Sequence, residues 1–238
     1  DDDQTAPIHW IDELLKAYDQ DKAAATFGPV LTLLPDHVTR HRAYFEAFFA
    51  RDPALSSGYI SKPYGCGNCL LDTGQLPDAK PWFDTRMNEV GGEDDLLFAS
   101  IAENGGQFAW AAGAPVYEHP LPQRVTLGYT LRRAFAYGQG PCTLARRASP
   151  PRYHVIPLWM GIGAGKFVLH GLAWLGLWVV RHPNRAFQLD KAVRGLGKVL
   201  FWKKLRFYGT ATVRQQTRAR VSTDADGTGT GDRARLSA

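Results

Sequence analysis

Two acidic clusters hold the residue types best suited to chemistry. Asp1-Asp2-Asp3 stand at the start of the sequence, and Gly91-Gly92-Glu93-Asp94-Asp95 follow some ninety positions later. Adjacent carboxylates supply the hard oxygen ligands that Mg2+ or Mn2+ takes, and such a cation can bridge phosphates. Three acids in a row are also ordinary as solvated charge. In the second cluster the glycines allow a sharp turn, and the acids fall at a predicted helix N-terminus, where the helix dipole favours negative charge. A carboxylate held there can take a proton from a hydroxyl as a general base. The plain alternative is a helix cap.

Arg124, Arg132 and Arg133 could add forks of donors for diphosphate oxygens. Helix-surface charge is the other reading, and the one preferred for Arg132. Cys66 and Cys69 form a C-x-x-C with only Cys142 besides. That is too few ligands for a structural zinc, and the loop-like surroundings do not suit a redox helix. The odd, low cysteine count points to a reducing compartment such as a bacterial cytoplasm.

The elements that must position these residues alternate between helix and short strand, which predicts an α/β domain. A helix is expected after Pro7, with Ile11, Leu14, Leu15 and Tyr18 at helical spacing. Residues 24–34 read as a buried strand interrupted at Gly28-Pro29, and 38–50 as a helix rich in Tyr and Phe. Residues 58–71 read as loop then strand, 93–104 as a helix ending at Gly105-Gly106, 108–116 as strand, and 126–138 as a helix.

The charge is unevenly distributed. Residues 1–150 hold 13 Lys/Arg against 19 Asp/Glu, whereas 151–220 hold 13 Lys/Arg against Asp190 alone. Within that basic stretch, Val155–Val180 is almost wholly apolar, with Lys166 and His170 as interruptions, and has the length of a membrane span. The following mixture of Arg and Lys with Phe, Leu, Val and Trp has the composition of an interfacial helix beside anionic lipid. A helical bundle with a solvated basic face would look similar. Basic residues so mixed with apolar ones, without a nucleic-acid motif, argue against a nucleic-acid partner. Three parts are expected: 1–148 as a catalytic-side domain, 149–212 as a membrane-associated helical segment, and 213–238 as a disordered Gly/Thr/Asp-rich tail.

A cation site and a separate carboxylate base are what an inverting sugar transfer requires. The cation offsets charge on a departing nucleoside diphosphate, and the base deprotonates the attacking hydroxyl on the opposite face. The order Asp1-Asp2-Asp3, Phe27-Gly28-Pro29-Val30, Gly65-Cys66-Gly67-Asn68, Phe83-Asp84, Gly91-Gly92-Glu93-Asp94-Asp95-Leu96-Leu97, Val116-Tyr117-Glu118-His119-Pro120 resembles a family-2 glycosyltransferase of the succinoglycan-biosynthesis type. The resemblance covers roughly residues 1–140 and is strongest at the Gly-Gly-Glu-Asp-Asp run.

That resemblance implies the later part of a GT-A, Rossmann-like domain followed by membrane-associated helices. It implies Asp1 and Asp3 at the metal and the sugar nucleotide, with His119 as a third ligand. It implies Asp94 as the catalytic base, Glu93 beside it binding acceptor hydroxyls or positioning the loop, Asp95 at the substrate, and Gly67 and Asn68 near the donor sugar. Arg124 and Arg133 would meet the diphosphate. The processive Q-x-x-R-W motif is absent, since Val125-Thr126 follow Gln123-Arg124, which implies addition of a single sugar. The expected partners are a nucleoside-diphosphate sugar and a lipid-linked or soluble glycan acceptor, at the cytoplasmic face of a bacterial inner membrane. A nucleotide-binding half of about one hundred residues is expected ahead of Asp1, so the chain reads as a fragment, inactive alone. Two rival readings are a metal-dependent phosphohydrolase using the same acids and a non-catalytic membrane-binding module.

Overall fold

The computed structural model describes residues 3–78, 80–83, 92–148 and 150–205. In chain order the elements are β1 (Gln4–Thr5), α1 (Trp10–Asp21), β2 (Ala25–Phe27), β3 (Val30–Thr32), α2 (Arg42–Phe49), β4 (Gly58–Ile60), β5 (Cys69–Leu71), α3 (Glu93–Glu103), β6 (Phe108–Trp110), β7 (Val116–Glu118), α4 (Leu127–Arg147), α5 (Ile156–Val179) and α6 (Arg185–Val199). The expected tail at 213–238, Asp1, Asp2, Asp84 and Gly91 lie outside the described residues.

The strands form a four-stranded sheet in the order β4-β6-β2-β5 and a three-stranded sheet in the order β1-β7-β3. Both are mixed. The β2–β6 and β3–β7 pairs are parallel, and the other three pairs are antiparallel. The chain is therefore mixed α/β, with more antiparallel pairing than a doubly wound parallel sheet has.

The two sheets are successive stretches of one parallel strand pair, broken once on each side. On one strand the break is Gly28-Pro29, as its residue types predict. A Cβ at Gly28 would lie 2.3 Å from the Ala114 carbonyl oxygen and 2.5 Å from Asn68 Nδ2, so only glycine fits. On the other strand the break is the five-residue turn 111–115, closed by a 3.1 Å hydrogen bond from Ala114 N–H to the Ala111 carbonyl. The single strand expected over 108–116 is divided there, because small residues without a pleated pattern cannot hold the ladder across the turn.

Period-two alternation separates the faces of the larger sheet. Ala25, Phe27, Phe108 and Trp110 point toward Leu97, Phe98 and Ile101 of α3. Leu70 and the nearby Ala111 and Ala114 pack instead with Leu14 and Ala17 of α1. The sheet thus lies between two helices. Phe27 and Trp110 are wholly buried, and each contributes about 1.5–3 kcal/mol of apolar transfer. The Phe27 and Phe98 rings meet edge to face at a centroid distance of 5.0 Å.

Helices α4, α5 and α6 form a separate layer with α6 in the middle. Glycines let the backbones meet. A Cβ at Gly138 of α4 would lie 2.3 Å from the Arg194 carbonyl oxygen, and one at Gly195 would lie 2.6 Å from the Gly163 carbonyl oxygen. This burial explains why α4 continues to Arg147 beyond the predicted end at 138, past Pro141. Gly138, Gln139, Cys142, Thr143 and Ala145 of its second half are covered, and the Gln139 amide donates to the carbonyls of Leu200 and Lys203 at 2.8 and 2.9 Å. Tyr44, Phe45 and Phe49 of α2 pack with Ala186 of α6 and join this layer to the strands. Helix α5 is long and apolar enough to cross a membrane, and only 11% of its most apolar window is buried.

Candidate functional site

The second acidic cluster opens α3, as its spacing predicts. Gly92 precedes the helix at φ 93°, a conformation that favours glycine, and Glu93, Asp94 and Asp95 fill the first turn. Asp94 is held at both oxygens. Oδ1 accepts from Asp95 N–H at 2.9 Å, and Oδ2 accepts from Cys66 N–H at 3.4 Å. Glu93 Oε2 is buried with no hydrogen-bond partner among the described residues. Asp95 is exposed on the helix surface.

The loop that receives Asp94 is Gly65-Cys66-Gly67-Asn68. Here the glycines are needed because charged side chains come close. A Cβ at Gly65 would lie 2.8 Å from Asp94 Oδ2 and 3.5 Å from Arg51 Nη1, so those two groups are no more than about 6 Å apart. A Cβ at Gly67 would lie 2.7 Å from Arg51 Nη2. Gly67 therefore faces Arg51, a residue that sequence reasoning missed.

Asn68 is buried, and its amide is fully committed. Oδ1 accepts from Trp10 Nε1 at 2.8 Å, and Nδ2 donates to the carbonyls of Pro29 and Ala114 at 2.9 and 2.7 Å. With both amide protons taken, this side chain fixes the loop against α1 and both strand breaks. The resemblance sets Asn68 near a donor sugar; in the fold its side chain bonds to Trp10, Pro29 and Ala114.

Arg51 is anchored through its backbone, which exchanges hydrogen bonds with Val30 at 2.8 and 3.0 Å. Its guanidinium reaches Glu118 at the end of β7, with Nη2 3.4 Å from Oε2. The Glu118 side chain is only 9% exposed. Burial pushes its carboxyl above the usual range. Arg51 opposes that rise, Asp3 adds to it, and Arg133 and Arg124 oppose it. Glu118 thus shares one electrostatic neighbourhood with Asp3 and three arginines. It stands in a motif already noted in the sequence, but nothing there distinguished it from a strand-end acid.

The first acidic cluster is represented by Asp3. Its carboxylate accepts from Arg124 Nη1 at 3.0 Å. Its carbonyl accepts from His119 N–H at 2.7 Å, continuing the register in which Gln4 faces Glu118. His119 therefore stands opposite Asp3, and its Nε2 is 3.0 Å from Thr5 Oγ1. Arg133 also stacks on Tyr137, 5.3 Å from the ring centroid. Asp94 bonds to the glycine loop, that loop faces Arg51, Arg51 reaches Glu118, and Glu118 feels the charge of Asp3, which is paired with Arg124. The two acidic clusters are joined along one polar seam at the ends of β3 and β7.

Among the described residues no three His, Cys, Asp or Glu side chains converge as a metal cage. Asp3 and His119 are two adjacent donors. The Asp3 carboxylate is engaged by Arg124 and the His119 ring by Thr5, so a cation here would have to displace both contacts.

No protein-family model matches the chain, and no solved structure matches it. The chain is similar to the succinoglycan biosynthesis protein ExoM of Rhizobium meliloti (strain 1021), with 32% identity over 142 residues. The match takes in 58% of this chain but 44% of that protein, so the chain spans less than half the length of the curated relative it matches.

Proposed function

We propose that this chain is the acceptor-side part of an inverting, family-2-type glycosyltransferase of GT-A fold acting in bacterial exopolysaccharide synthesis. The observation that carries the reading is the seam from Asp94 through Arg51 and Glu118 to Asp3 and Arg124. It links a held carboxylate to a carboxylate–arginine cluster, the two functions a sugar transfer needs. The similarity to a succinoglycan biosynthesis protein supports the substrate class.

In this reading Asp94 is the base. Two backbone N–H groups orient its carboxylate before substrate arrives, so little reorganisation is left for the reaction itself. Glu93, with one carboxylate oxygen unpartnered, accepts from acceptor hydroxyls, and Asp95 lines the same approach. Arg51 is a positioning residue for the glycine loop. Arg124 and Arg133 meet the diphosphate, and Asn68 holds the loop from behind. Asp3, with Asp1 and His119, would hold Mg2+ or Mn2+, whose chemistry is to offset the charge of the departing diphosphate. The donor is a nucleoside-diphosphate sugar. The acceptor is a glycan, lipid-linked given α5, and the site works at the cytoplasmic face of the inner membrane.

The test is Asp94→Asn in the full-length protein, with sugar transfer and donor binding measured separately. Transfer falls at least a thousandfold while donor affinity stays within about threefold, since the amide keeps the shape and loses the base. Unchanged turnover would remove Asp94 from the role. Phosphate release that needs no acceptor would favour a phosphohydrolase.

A further inference from the structure

We propose that α5 lies along the membrane surface as the outer member of a helical hairpin and does not cross the bilayer. The inference rests on the reading of α5 as membrane-facing and specifies its orientation.

Length and hydropathy alone would let α5 span, since 24 residues at 1.5 Å each make about 36 Å against a hydrocarbon core of about 30 Å. What it packs against argues otherwise. Helix α6 runs antiparallel along it, with Gly195 on Gly163 near one end and Gln188 Oε1 2.8 Å from His170 Nδ1 nearer the turn. Helix α6 carries Arg185, Asp190, Lys191, Arg194 and Lys198, and α5 itself carries Lys166. Were α5 to span, Lys166, Lys191 and Arg194 would sit near mid-depth. Lys166 and Lys191, together with the Arg194–Asp190 pair, are groups that the apolar core of a bilayer strongly disfavours at that depth.

Nor can α6 be left behind. It is tied to the folded domain by Tyr44 Oη donating to Asp190 Oδ1 at 3.2 Å and by the Gly138–Arg194 and Gly197–Phe135 backbone contacts. Drawing α5 out alone would strip apart the Gly163–Gly195 crossing.

The side of α5 turned away from α6 has what a bilayer interface requires. Leu158, Val168, Leu169, Leu172 and Val179 recur at helical spacing, each more than half exposed. Among the described residues from 151 to 205, nine Lys/Arg face a single acid, Asp190. That charge selects an anionic lipid surface as the occupant.

The deciding experiment is side-specific labelling of the full-length protein in sealed, inside-out membrane vesicles. His154→Cys and Arg181→Cys mark the two ends of α5, in a background with Cys66, Cys69 and Cys142 changed to Ser. A membrane-impermeant maleimide labels both ends from the same, cytoplasmic side if α5 lies flat. Labelling from opposite sides overturns the proposal while leaving membrane association intact. In a second measurement the purified protein is floated with phosphatidylcholine vesicles with and without 25% phosphatidylglycerol. Binding at least tenfold stronger to the anionic vesicles, lost in Leu169→Glu/Leu172→Glu at unchanged circular dichroism, is the expected result. No flotation, with self-association through α5 instead, overturns the proposal together with the membrane reading beneath it.

Discussion

Replacing Arg51 with Met probes the seam most directly, because Met keeps the length of the side chain and removes its charge. The guanidinium is 3.4 Å from Glu118, with side chains 35% and 9% exposed. At an effective dielectric constant of 20 the bare attraction is about 5 kcal/mol. The separation is longer than an optimal charged hydrogen bond. Arg51 is also a third exposed, and Arg124 and Arg133 remain to hold Glu118. A net loss of about 1–2 kcal/mol is expected, or roughly 2–8 °C in Tm for a chain of this size. Thermal unfolding in detergent, followed by tryptophan fluorescence, measures it.

The pH dependence has a definite sign. Burial already raises the Glu118 carboxyl above its unfolded value, and removal of Arg51 raises it further. The penalty is therefore full above the folded pKa and shrinks as the pH falls and Glu118 is protonated. In a Glu118→Gln background the cost of Arg51→Met drops below about 0.5 kcal/mol, giving a coupling of about 0.5–2 kcal/mol. In the full-length protein, Arg51→Met lowers kcat about 10- to 100-fold with little change in donor KM, because the loop that fixes Asp94 loosens. Arg51→Lys restores part of the stability but not the turnover, lacking the fork that spans Gly65 and Gly67. A coupling energy near zero, or an unaltered kcat in Arg51→Met, would refute the reasoning.

Further outcomes follow from the same contacts. Gly138→Ala and Gly128→Ala, ten positions apart on α4, should move stability in opposite directions. The first forces a Cβ onto the Arg194 carbonyl and costs about 3 kcal/mol or more; the second meets nothing within 4 Å and gains roughly 0.5 kcal/mol of helix propensity, both read from Tm. Gly28→Ala sets a Cβ against the Ala114 carbonyl and Asn68, and should cost about 3 kcal/mol or more and lower the yield of folded protein. Glu118→Gln alone relieves a buried carboxylate whose pKa is raised. It should be as stable as the parent, or more so, at neutral pH, with the difference closing as pH falls toward the unfolded carboxylate pKa.

Sequence reasoning went furthest where one local rule sufficed. The helix at Glu93–Glu103, the break at Gly28-Pro29 and the apolar helix after Val155 each follow from neighbouring residue types. Arg51 was invisible because its role depends on a bridge to Val30 and on a loop more than a dozen residues later. Asn68 was readable as part of a loop, but its three partners come from separate segments. The orientation of α5 was likewise unreadable. Composition shows an apolar run, whereas the alignment of α6 against it is a tertiary fact. Within the site, Asp94 and Asp3 were identifiable as types, and the Arg51–Glu118 link between them required the fold.

The Asn68 amide has one more consequence. Its three bonds reach across 39, 46 and 58 positions of the chain. Each such loop must lose its freedom before the bond can repay it, so none forms early by local collapse. The glycine loop that receives Asp94 should be among the last regions to gain protection from hydrogen exchange during refolding, after the helices have formed.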